Sequence, residues 1–208
     1  DRSFACDGHF IIEVPAGKAV VHVERGKEYM PVDRMVTVEP GRQTPLRVEL
    51  ERWIDLAKEG WYSADLHAHF IGGARRAADP AKFADQVRVL KQVALADDVN
   101  WLPAFVFWND WHESWPSWPD GPSIRADGAH LVTLNNEEIE RIARGDGEPW
   151  TSLGAPLLFG LSRPVYVPRH DETYPCDAAL CRLARKDSPN CLIDLDKPMW
   201  AENAVGVA

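Results

Sequence analysis

The chain has 208 residues, 45% of them hydrophobic and 26% charged, enough apolar material for one large domain or two small ones. A formal net charge of −9 at pH 7, without any basic run, argues against nucleic acid and anionic membrane surfaces as partners, because both require a positive face. No stretch approaches the roughly 20 apolar residues of a membrane span, and no charged-then-apolar leader opens the sequence.

Residue 1 is Asp rather than Met, and the last residues stop inside an apolar run, so the chain reads as a fragment or a processed product. Residues 1–51 read as short strands with turn punctuation. Phe10-Ile11-Ile12-Glu13-Val14 is one strand, turned by Pro15-Ala16-Gly17. Ala19, Val21 and Val23 alternate with Val20, His22 and Glu24, and Met35-Val36-Thr37-Val38 runs into a turn at Glu39-Pro40-Gly41. Leu46, Val48 and Leu50 alternate over a last strand, which makes the segment part of a small β-sandwich. Residues 52–60 form a helical connector stopped at Gly60.

From residue 61 to 208 the pattern is α/β. The segment from Trp61 to His69 is a strand and its exit. Asp79 caps a helix with Pro80 at its first position, and Phe83, Val87, Leu90 and Ala94 form its apolar stripe. A buried strand follows through Trp101, Leu102, Phe105 and Val106. Strand, helix, strand is the rhythm of a parallel unit. Further strands are expected at 129–134, 155–161 and 191–195, with a helix at 178–186. These residues are too few for a full barrel of about 250 residues, so an incomplete barrel or a compact layered fold is expected.

His67 and His69 sit two apart, a spacing that puts both imidazoles on one face of a strand. Asp65 falls on the same face, either as a ligand or behind a histidine. Imidazole with carboxylate suits Zn²⁺, Mn²⁺ or Fe²⁺. Trp108, Trp111, Trp115 and Trp118 crowd a segment that Pro116 and Pro119 keep from being helical. These rings form a substrate wall for sugars or aromatic groups, or else anchor a long loop, and His112 lies among them. Four cysteines lack the C-x-x-C spacing of a zinc site. A Cys176–Cys181 or Cys181–Cys191 disulfide fits an exported protein, against free thiols packed as small hydrophobes.

The ten residues Gly60-Trp61-Tyr62-Ser63-Ala64-Asp65-Leu66-His67-Ala68-His69 resemble the opening of the CehA/McbA-type metallohydrolases, a branch of the PHP (polymerase and histidinol phosphatase) superfamily. Asp7-Gly8-His9-Phe10 and Val14-Pro15-Ala16-Gly17 are similar to carboxypeptidase regulatory-like or transthyretin-like repeats. The resemblance implies the front part of a PHP-like (β/α)7 barrel behind a partial β-sandwich. It also implies two or three divalent metal ions, and hydrolysis of phosphoesters or other esters by a metal-bound hydroxide. On that pattern a later strand supplies a bridging carboxylate. Glu137 is the first match, with Glu138 and Glu140 as rivals, unless the stretch from Asn135 to Glu138 merely caps a helix.

The sequence also departs from that pattern. Where an Asp-His pair is expected, Asp110 is followed by Trp111, leaving Asp110 as a candidate for activating water. Where His-Pro is expected, Asp194-Leu195-Asp196-Lys197-Pro198 stands, so Asp194 or Asp196 could serve as an oxygen ligand, or Lys197 as a fixed charge. The expected partner is a small-molecule or carbohydrate substrate, and a secreted or periplasmic location is favoured. The competing reading is an inactive PHP-like relic that binds carbohydrate or protein outside the cell.

Overall fold

A computed structural model of the chain describes residues 3–69, 80–105, 107–108, 123–125, 127–139, 142–143, 151–152, 155–165 and 177–196. In chain order the elements are β1 (Gly17–Val23), β2 (Val32–Val38), a 3-10 turn (Leu56–Glu59), β3 (Ala68–His69) and helix α1 (Pro80–Ala96). They continue with β4 (Trp101–Phe105), β5 (Phe107–Trp108), β6 (Ser123–Arg125), β7 (Leu131–Thr133) and β8 (Asn136–Glu138). The last are β9 (Ile142–Ala143), β10 (Thr151–Ser152), β11 (Ala155–Phe159), helix α2 (Asp177–Asp187) and β12 (Leu192–Asp196). The chain is α/β, with mixed sheets. Among the described residues no barrel closes, and no helix is long and apolar enough to cross a membrane.

Two compact units emerge from the contacts. One comprises Asp1–Asp65, Arg88–Leu102 and Arg125–Leu131, the other Leu66–Val87, Pro103–Ile124 and Val132–Ala208. In the first unit β1 and β2 form an antiparallel pair in which Gly17 faces Val38 and Val23 faces Val32. The strands expected at 10–14 and 46–50 do not form. Residues 10–12 are three consecutive apolar side chains followed by Glu13, without a period of two, and all of 10–14 are exposed, Ile11 at 75%, so no face of that segment is buried. The pairing expected of the later segment is displaced to residues 51–53. There Met30 N–H donates to the Glu51 carbonyl at 2.9 Å and Trp53 N–H to that of Glu28 at 3.0 Å. Gly60 stops the 3-10 turn in the left-handed conformation, φ 86°, which only glycine adopts freely.

In the second unit β3 runs parallel to β4, with Ala68 beside Ala104 and His69 beside Phe105. A four-stranded sheet has the order β12-β11-β8-β5. β5 and β8 are parallel, but β11 runs antiparallel to both of its neighbours, β8 and β12, which departs from the all-parallel rhythm expected.

Cross-strand register assigns this sheet's two faces, because residues directly opposite one another share a face. Glu137, Leu158 and Ile193 line up on one face. That face carries the core of Ile139, Leu158, Leu161, Val165, Leu180, Ala184 and Cys191, to which α2 contributes Leu180 and Ala184. Glu138, Leu157 and Asp194 line up on the other face, with the Ala155–Asp196 and Phe159–Asn136 pairs beside them. No disulfide joins Cys181 to Cys191, so the second of the two possible pairings does not form; Cys176 lies outside the described residues.

Candidate metal centre

The sheet face opposite α2 is where ligating groups meet. His67 precedes β3 and His69 ends it, and the period of two brings both rings to one side, with centroids 5.0 Å apart. Phe105, buried at the end of β4, packs against both rings at 5.9 Å, and Phe159 of β11 backs Phe105 at 5.5 Å. The two imidazoles rest on this aromatic floor, and their Nε2 atoms face Glu138.

The three side chains converge closely. His67 Nε2 lies 3.1 Å from His69 Nε2 and 3.4 Å from Glu138 Oε2, and His69 Nε2 lies 3.0 Å from the same oxygen. Donors about 2.1 Å from one ion stand about 3.0–3.4 Å apart in octahedral or tetrahedral arrangements, so the spacing fits a common ion. The chemistry fits as well, since two neutral imidazoles and one carboxylate are a donor set for zinc and its neighbours. Glu138 is only 1% exposed, and a buried carboxylate is stable only opposite cationic or donor groups. His67, His69 and Glu138 thus form a group able to hold a metal ion.

The structure redistributes the roles expected from sequence. Asp65 does not join the convergent donors; it lies in the first unit, where its backbone N–H donates to the Trp101 carbonyl at 3.2 Å. Glu137, the first candidate for the carboxylate, points the other way. Its Oε2 accepts from Val165 N–H at 2.7 Å, and burial pushes its carboxyl up to about 8, with that hydrogen bond pulling the other way. Glu138 takes the place assigned to it. The stretch from Asn135 to Glu138 is no solvated helix cap, because residues 136–138 are a buried strand.

Of the two aspartates near the chain's last strand, Asp196 approaches the site, with Oδ2 3.2 Å from His67 Nδ1, whereas Asp194 is exposed. Trp108 stands beside Glu138 in the parallel β5–β8 register. Asp110, Trp111, His112, Trp115, Glu140 and Lys197 lie outside the described residues. The sequence could have separated Glu138 from Glu137 by parity alone, but only the pairing of β8 with β11 says which parity faces the histidines.

No family model matches the chain, and neither the curated proteins nor the solved structures hold a significant match.

Proposed function

We propose that this chain is a metal-dependent hydrolase of PHP-like type, acting on phosphoester or other ester bonds. The observation that carries the reading is the convergence of His67 Nε2, His69 Nε2 and Glu138 Oε2, with ligand atoms all within 4.8 Å of one another. Two imidazoles and one carboxylate leave coordination positions for water and substrate, as catalytic sites do and closed structural sites do not. A bound divalent ion would lower the pKa of a coordinated water toward neutrality and polarise a carbonyl or phosphoryl oxygen.

The chain's own residues supply the rest. His67 and His69 present neutral nitrogen donors, Glu138 supplies the negative charge, and Phe105 with Phe159 forms a dry apolar wall behind the rings. The part-open surroundings of the histidines, 32% and 37% exposed, leave a side for a substrate to approach. The D-L-H-x-H resemblance and the α/β fold favour the PHP-like assignment, with the described strands as part of an incomplete barrel.

Metal content by plasma mass spectrometry tests the proposal. Wild-type protein reconstituted with Zn²⁺ or Mn²⁺ is expected to hold about one ion per chain or more. The His67→Ala/His69→Ala double variant and Glu138→Gln are expected to lose it. Metal-free wild type after both reconstitutions would overturn the hydrolase reading. If metal is retained, turnover of bis(p-nitrophenyl) phosphate and p-nitrophenyl acetate decides between phosphoester and carboxylic ester chemistry.

A further inference from the structure

We infer that Asp196 is a positioning residue for this centre: it fixes the proton of the His67 ring on Nδ1 and so leaves Nε2 as the metal donor. The inference rests on the metal-centre reading above. Its basis is that the two nitrogens of one imidazole face two different neighbourhoods. Nδ1 lies 3.2 Å from Asp196 Oδ2, while Nε2 faces His69 Nε2 at 3.1 Å and Glu138 Oε2 at 3.4 Å. A neutral imidazole carries its proton on one nitrogen and a lone pair on the other, so a carboxylate at Nδ1 selects the tautomer that ligates through Nε2.

Register explains why this acid and not its neighbour does so. Asp194 and Asp196 share the sheet face that carries Glu138. Asp194 lies opposite Leu157 and remains exposed, whereas Asp196 lies opposite the buried Ala155 and is 25% exposed at the edge of the site. Asp196 stands on the Nδ1 side of the ring, away from the Nε2 donors, and is not one of the three convergent ligands. With Nδ1–H turned onto this carboxylate and an ion on Nε2, the three would form a carboxylate–histidine–metal relay, in which the outer acid orients the ligand and raises its basicity.

The test compares wild type with Asp196→Asn, a near-isosteric change that preserves folding better than truncation, and uses two readouts. The first is Zn²⁺ affinity and stoichiometry by chelator competition. The second is the His67 tautomer in the metal-free protein, read from long-range ¹H–¹⁵N NMR correlations. Asp196→Asn is expected to weaken Zn²⁺ binding about 10- to 100-fold at unchanged stoichiometry, and to reduce the Nδ1–H population of His67.

Affinity within about threefold of wild type, with the tautomer unchanged, would overturn the role of Asp196 while leaving the metal centre standing. A lost equivalent of Zn²⁺ at saturation would overturn it in another way, by making Asp196 a ligand. Wild type that takes up no Zn²⁺ would overturn the metal-centre reading itself, a result that no behaviour of the Asn variant could imitate.

Discussion

Glu137 and Glu138 are neighbours on β8, and the pleat of the strand sends them to opposite sides of the sheet. Glu138 meets His67 and His69, while Glu137 is enclosed with the α2-covered core and hydrogen-bonded to Val165 N–H. Burial pushes the Glu137 carboxyl up to about 8, which favours its protonated form at pH 7. Glutamine reproduces the size and neutrality of that protonated acid and keeps an acceptor for Val165. Glu137→Gln is therefore expected to retain metal at the wild-type stoichiometry and to change stability by less than about 1 kcal/mol. Mass spectrometry of the reconstituted variant and a urea titration check both points, and loss of metal would make Glu137 part of the centre after all. At this scale the histidines were legible because two imidazoles in an H-x-H spacing need only a local strand to face one ion. The choice of carboxylate was not, because both residues are acids in one short strand and only a partner strand distant in sequence, where Leu158 faces Glu137 and Leu157 faces Glu138, distinguishes them.

The elements that hold Glu138 in place depend on a buried asparagine. Asn136, fully buried at the start of β8, donates through Nδ2 to the Ala104 carbonyl at 3.2 Å and the Thr133 carbonyl at 2.8 Å, and its Oδ1 accepts from Gly160 N–H at 3.2 Å. One side chain thus ties β8 to the strand under the histidines and to the end of β11. Asn135 adds a reciprocal pair with Leu161, its Nδ2 donating to the Leu161 carbonyl and its carbonyl accepting from Leu161 N–H. Asn136→Ala leaves several backbone groups short of a partner, and each such loss typically costs 1–3 kcal/mol. The expected loss is about 2–4 kcal/mol in urea unfolding, with weakened Zn²⁺ uptake in the folded fraction; a loss under about 0.5 kcal/mol would mean that water replaces the amide. Both helices were legible, α1 from its Phe83, Val87, Leu90 and Ala94 stripe, of which Leu90 and Ala94 are buried. The extended segments at 10–14 and 46–50 misled because β-propensity makes a strand only where a neighbouring strand completes the ladder.

At the scale of the whole chain, the first unit is assembled from three separate stretches, and charges far apart in sequence join them. Asp98, its side chain 8% exposed, receives Arg25 Nη2 at 3.0 Å and has Arg52 Nη2 at 3.9 Å. His130 Nε2 approaches Asp98 at 3.1 Å, while its Nδ1 faces Asp127 at 2.7 Å. Arg25 and Arg52 also lie over the Tyr29 ring, 4.9 and 5.6 Å from its centroid. The backbone comes close as well, because a methyl group on Gly26 would stand 2.5 Å from the Asp97 carbonyl oxygen. None of this was legible, since periodicity reports which face a residue takes and says nothing of partners up to 73 positions away. Asp98 has φ 52°, a conformation that asparagine also tolerates, so Asp98→Asn removes the charge without straining the turn. Removing one partner of a fully buried ion pair costs about 3–5 kcal/mol, because the other charge is left without compensation. Arg25 is 37% exposed and can recover some hydration, which brings the expected loss to about 2–3 kcal/mol. Tryptophan fluorescence through a urea titration measures it: a shift of that size makes Asp98 the electrostatic centre of the first unit. A shift under about 0.5 kcal/mol would place it with surface pairs, whose contribution water and salt largely cancel.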